Sequence, residues 1–160
     1  LRGLGAPWSD MRIVATADQI GIREGRRLHG LYHVTAEDLT QGARHTDAAC
    51  RCTFGVDVHT THPAQGTSYD KSVRIRTLPY DIPMRALIAR DVDGLFMAGR
   101  CISGDFIAHS SYRVTGNAVT MGEAAGRQAA YCASEGVSPH AFIKQTLEIT
   151  YANHLSSSTV

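Results

Sequence analysis

The chain carries almost no net charge, +1 over 160 residues at neutral pH. That balance excludes the basic footprint with which proteins hold nucleic acid. No apolar run approaches the roughly 20 residues a helix needs to span a bilayer. The opening Leu1-Arg2-Gly3-Leu4-Gly5 has no apolar core of a cleavable signal. It also lacks a starting methionine, so the chain is expected to be a piece of something longer, without its N-terminal address. Cysteine pairs of the C-x-x-C kind are missing: the four cysteines are Cys50, Cys52, Cys101 and Cys132. Cys50-x-Cys52 is too tight for paired zinc spacing. The cysteines read as buried thiols, since free Cys behaves as a small hydrophobe. The eight histidines fall in no H-E-x-x-H frame, and no metal site is expected. There is no G-x-G-x-x-G either; Gly3-x-Gly5 leads into Ala6-Pro7-Trp8 and not into a helix.

What remains is a chain of one-domain size, 43% apolar and 19% charged, which fits a soluble globular protein and not a disordered one. Thr35-Ala36-Glu37-Asp38 reads as a helix start, with Thr35 as N-cap and acids in the first turn, ending near Gly42. Residues 50–59 alternate. Cys50, Cys52, Phe54, Val56 and Val58 fall on one face and Arg51, Thr53, Asp57 and His59 on the other, a half-buried strand. Ser72–Thr77 alternates again, and Tyr80-Asp81-Ile82-Pro83 is extended. Gly94-Leu95-Phe96-Met97-Ala98-Gly99 is short, apolar and glycine-ended, as a buried parallel strand is. A helix follows from about 117 to 134, with Ala118, Gly122, Gly126 and Ala130 on one stripe without bulk. Ser138-Pro139 starts another helix, and Ser156-Ser157-Ser158 reads as a frayed tail.

The strand, the bulk-free turn and the helix N-terminus together form a place where a large anionic cofactor can meet backbone N–H groups. Tight packing of a helix on a sheet is the alternative. Asp57 and His59 are either a solvated polar face or an orienting carboxylate beside a proton-transfer imidazole. Arg23, Arg26 and Arg27 are either a solvated run or a clamp for carboxylate or phosphate. The run His109-Ser110-Ser111-Tyr112-Arg113 places ionisable groups just before the helix.

Four stretches carry a family resemblance. They are residues 21–27, Leu31–Leu39, Tyr80–Leu87, and Gly94–Ser103 continuing through Ala108–Val114 to Gly122-Glu123-Ala124-Ala125-Gly126. Together they resemble the C-terminal part of FAD-dependent oxidoreductases of the glutathione-reductase-like flavoprotein class. The resemblance implies an α/β fold, the C-terminal portion of a two-domain FAD/NAD(P)-binding fold lacking its N-terminal Rossmann half. Residues 1–79 would belong to a substrate-side β-rich domain. Residues 80–135 would complete the FAD-binding domain, and 136–160 form a C-terminal helix and tail. It implies FAD as cofactor, with Ala98, Gly99, Arg100 and Ser103 along the ribityl and phosphate side. Thr115, Gly116, Asn117 and Ala118 would lie at the isoalloxazine, where a helix N-terminus stabilises the charge of reduced flavin. The expected activity is hydride transfer to or from a small organic substrate, with Arg23 and Arg26 orienting it and His59 or His109 moving a proton. The partner expected is a second polypeptide carrying the missing dinucleotide-binding motif. The contrasting expectation is a non-catalytic binding or structural subunit that keeps the scaffold without cofactor.

Overall fold

The computed structural model describes residues 2–59 and 74–157. Its elements run α1 (Ala36–Gln41), β1 (Ala48–Cys52), β2 (Tyr80–Pro83), α2 (Phe106–Tyr112), α3 (Thr115–Glu135) and α4 (Pro139–Ser157). Short 3-10 turns sit at Arg2–Leu4, Trp8–Asp10, Met84–Leu87 and Gly99–Cys101. Helices with a small sheet give the mixed α/β character expected. β1 and β2 pair antiparallel, Cys50 opposite Ile82 and Cys52 opposite Tyr80. These strands lie on either side of residues 79 and 80 and share one core. Cys50, Cys52, Tyr80 and Ile82 are buried there with Met121 and Ala125 of α3, which packs on β1.

α1 forms where the sequence places it. Asp38 takes the Thr35 N–H on Oδ2 at 2.8 Å, closing a capping box. Gly42 ends the helix in the left-handed region at φ 66°, and a Cβ there would meet the Leu78 side chain at 3.0 Å. One carboxylate, Asp105, starts two helices. Its Oδ2 accepts from Ala36 N–H at 2.8 Å and its Oδ1 from Ala108 N–H at 2.7 Å. One orphan donor at each of two helix N-termini is thereby satisfied by one side chain.

The structure corrects several expectations. The strand expected over 50–59 ends at Cys52. Beyond it the backbone turns to α2 for partners: Phe54 C=O accepts from Ser111 Oγ at 2.5 Å, and Asp57 N–H donates to Ser110 C=O at 3.0 Å. Phe54 is accordingly 44% exposed and not on the core face. Residues 74–77 hold no strand, and 72 and 73 lie outside the described residues. The 94–99 run is not a parallel strand among the described residues. Asp91–Gly94 returns the chain on itself, and Phe96 bridges Ile88 antiparallel. α2 is an element the sequence reading did not anticipate. α3 begins two residues earlier than expected, and α4 runs through Ser156 and Ser157, where a frayed tail was expected; Ser158 lies outside the described residues.

Three tyrosines turn their hydroxyls inward. Tyr32 donates to Asp38 at 2.8 Å, Tyr80 to Ser111 at 2.9 Å and Tyr112 to the Ile102 carbonyl at 3.2 Å. Burial pushes the Tyr32 phenol up to about 12 and raises Tyr80 and Tyr112 as well. An unfolded phenol ionises near 10.0. The contribution of these groups is therefore complete below that pH and is lost as pH rises through the folded values. The tyrosine contribution is expected to be constant up to pH 10 and to fall beyond it. Tyrosinate absorbance and loss of helical circular dichroism should then rise together. Reversible ionisation of all six tyrosines near pH 10 with the fold intact would contradict this.

Candidate functional site

α2 ends at Arg113 because Val114 takes an extended conformation and α3 then restarts. This elbow places Arg113 where it reaches two distant segments. Its side chain is 5% exposed. It donates through Nη1 to the Glu24 carboxylate and through Nη2 to the Asp57 carbonyl, the latter at 2.6 Å. A second arginine holds the same basic segment: Arg100 Nη1 donates to the Ile22 carbonyl at 3.1 Å. The turn before it comes close to α3. Gly99 sits at φ 77°, and a Cβ there would lie 3.4 Å from Ala118 Cβ. A side chain at that φ would be strained whatever the space.

Between these parts opens a cleft of about 470 Å³. Its walls are Arg23, Arg100 and Arg113, Asp57, and the α3 entry at Val114, Thr115 and Ala118. Three arginines and one aspartate thus line a cleft beside the N-terminus of a 21-residue helix. The helix end adds donors and a positive end of its dipole. Asp57 Oδ2 lies 3.0 Å from His59 Nε2. Asp57 Oδ1 is buried without a hydrogen-bond partner among the described residues. A cleft of about 420 Å³ between Asp93–Phe96 and the α3–α4 junction has Asp93 as its one charged lining group and gathers none of the candidate residues.

The residues expected at a site divide into those the fold brings together and those it does not. Arg23, Arg100, Thr115 and Ala118 line the cleft. His59 reaches it through Asp57. Ala98, Gly99, Gly116 and Asn117 border these by sequence, and the Asn117 amide nitrogen is buried without a partner. Arg26 is exposed and outside the lining. Ser103 is in the core, 3.1 Å from His33 Nδ1. His109 is fully buried in α2, edge-on to Tyr112 at 5.5 Å, with neither ring nitrogen in a well-formed hydrogen bond among the described residues, though the Arg100 main chain lies close enough to raise its pKa slightly. Burial lowers its pKa, Arg27 and Arg113 lower it further, and Glu24 opposes them. The Asp57–His59 pair expected on a strand face does form, but in the non-strand segment laid along α2. Arg113 had been read only as part of a polar run. An acid, Glu24, among the arginines of residues 23–27 was the available sign that one of its neighbours would need a partner.

A family model described as FAD dependent oxidoreductase matches residues 3–149. The chain belongs to that family. No curated protein and no solved structure matches it. FAD is the cofactor, and oxidation–reduction is the chemistry of this FAD dependent oxidoreductase. Its own residues fit the group. FAD carries a pyrophosphate and, when reduced, negative charge on the flavin; the cleft offers guanidinium groups and an open helix N-terminus. Among the described residues, its own helix and chain neighbours aside, nothing lies within 4 Å of a Cβ built on Gly116, so the helix entry is bare.

Proposed function

We infer that the cleft at the α3 N-terminus is where this oxidoreductase meets the flavin and oxidises or reduces a small organic substrate. The carrying observation is that Arg23, Asp57, Arg100, Arg113 and the α3 entry converge there from separate parts of the sequence. Ala98, Gly99 and Arg100 are assigned to the ribityl and phosphate side, and Ser103, buried in the core, is not. Thr115, Gly116, Asn117 and Ala118 are assigned to the isoalloxazine. The near contact of Gly99 with Ala118 supports putting these two groups on one cofactor. A bound flavin supplies a two-electron hydride acceptor or donor. Arg23 orients the substrate, Arg113 holds the segments that carry Arg23 and Asp57, and His59 moves the proton; Arg26 and His109 stand outside the cleft lining.

The chain acts as the C-terminal part of a glutathione-reductase-like flavoprotein, completed by a second polypeptide with the dinucleotide-binding motif. Two features support this. Ile13, Val14, Ile20 and Val119 are 84%, 97%, 90% and 66% exposed. Gly122 and Gly126 of the small-residue stripe meet nothing within 4 Å at a built Cβ. Apolar surface of this kind marks an interface.

Native purification tests the reading. The protein is expected to be yellow, with a native mass that sums this chain, FAD and a second polypeptide. A colourless protein that stays colourless when given FAD favours the non-catalytic role, and a mass of one chain removes the partner. Gly116→Val sharpens the test. Gly116 has no positive φ and no close neighbour, and valine is no worse than glycine in a helix, so the fold tolerates the change. Flavin binding is expected to fall sharply while the melting temperature barely moves. Retained flavin in Gly116→Val removes the isoalloxazine from the α3 entry.

A further inference from the structure

The three arginines of the cleft are not equivalent. Arg113 is committed to Glu24 and to the Asp57 carbonyl. Arg100 is committed through Nη1 to the Ile22 carbonyl. Arg23 is exposed, ends in the same cleft, and forms no salt bridge among the described residues. Its planar fork therefore remains available to an anion, and that fork matches a carboxylate in two-point fashion. The same cleft holds a polar group of the opposite kind. Asp57 holds His59 through Oδ2 at 3.0 Å, while Oδ1 is buried and has no hydrogen-bond partner among the described residues. The Asp57 main chain is fixed on both sides, N–H to Ser110 and C=O to Arg113. A buried acceptor without a donor is costly until a donor arrives.

We propose that the substrate of this cleft is a small organic acid bearing a hydroxyl or amino group, its carboxylate held by Arg23 and its donor hydrogen-bonded to Asp57 Oδ1. This rests on the flavin reading of the cleft. A plain acid satisfies Arg23 but leaves Asp57 Oδ1 facing a second carboxylate. A neutral alcohol satisfies Asp57 but leaves Arg23 without its anion. Only a molecule with both groups answers both features. The donor's proton has its acceptor at Asp57 Oδ1, with His59 on the other oxygen of the same carboxylate.

Calorimetric titration of the natively purified protein tests this with three probes: glycolate, acetate and ethylene glycol. Glycolate is expected to bind about tenfold or more tightly than acetate, the worth of one hydrogen bond to a charged group. Ethylene glycol is expected to show no measurable binding. Arg23→Gln, a change at an exposed side chain, should remove binding of both acids and leave the flavin colour. Asp57→Ala should bring glycolate down to the level of acetate. Acetate itself should then bind more tightly, because a like charge has gone from the cleft. Equal affinity for glycolate and acetate in the parent protein, or no binding of either, overturns the proposal. If instead Arg23→Gln discharges the flavin and glycolate never binds, Arg23 holds a cofactor phosphate. The substrate class is then wrong while the flavin reading stands. If the protein binds no flavin yet prefers glycolate in the manner described, the flavin reading fails and the acid site survives.

Discussion

Arg113→Met is expected to abolish turnover and to lower stability by about 2–3 kcal/mol, the cost of losing charge-assisted hydrogen bonds at a largely buried guanidinium. Methionine keeps much of the apolar stem, so lost packing is the smaller part. Glu24 is 46% exposed and resolvates when released. Most of the cost therefore comes from the Asp57 carbonyl and from two segments that lose their anchor at the α2–α3 elbow. Glu24→Gln is the matched control and should cost no more than about 1 kcal/mol, as for an exposed pair. Arg113→Lys should fall between, since it keeps the charge without the fork. The pH dependence separates the variants again. The hydrogen bond from Arg113 holds the Glu24 carboxyl below its usual 4.5. The parent therefore has this stabilisation above that pH and loses it as pH falls below. Arg113→Met should lack that acid-sensitive part. Denaturant midpoints and turnover at several pH values check both claims. If Arg113→Met matches Glu24→Gln in stability and rate, Arg113 does not assemble the cleft.

How much of this was legible depended on whether a segment's partners are local. α1 was legible to the residue, because Thr35, Asp38 and Gly42 solve the end problems of the helix within its own sequence. α3 was legible nearly as well, since 21 residues without proline leave few alternatives. The 50–59 strand was half right. Its side chains alternate to Val58, but alternation says nothing of where backbone donors go, and past Cys52 they go to α2. α2 itself left no periodic trace. Ala108 through Tyr112 are all buried, so the helix has no polar face to set a 3.6-residue rhythm. The 94–99 run was read correctly as apolar, yet its direction was set by the Asp91–Gly94 turn, which returns it against Ile88.

The site followed the same rule. Residue types suited to anion binding, Arg23 and Arg100, were recognisable because their chemistry is their own. The importance of Arg113 was not, since it comes from a Glu24 and an Asp57 that stand 89 and 56 residues away. His59 and His109 looked alike in sequence, being two imidazoles near polar neighbours. Burial separates them: His59 has a side chain 20% exposed on a cleft carboxylate, and His109 is sealed in α2.

That difference sets the last expected result. His59→Ala should slow turnover by about 10²–10⁴-fold, the usual contribution of a general acid or base. It should leave the flavin bound and the melting temperature nearly unchanged, because the imidazole stands at the edge of the fold's core. His109→Leu should do the reverse. Two buried ring nitrogens without a well-formed hydrogen bond are replaced by apolar volume, which is expected to stabilise by about 1–3 kcal/mol. The gain should grow in acid. Burial holds the folded pKa of His109 below its ordinary 6.5. The unfolded chain takes up the proton first, so the parent loses stability as pH falls below that value, and His109→Leu does not. Turnover of His109→Leu should stay near that of the parent, since the ring is fully buried and is not part of the cleft lining. The opposite pattern, full turnover in His59→Ala and a slow but stabilised His109→Leu, moves proton transfer to His109. It would also require α2 to open during the reaction, because a fully buried imidazole has no other route to a substrate.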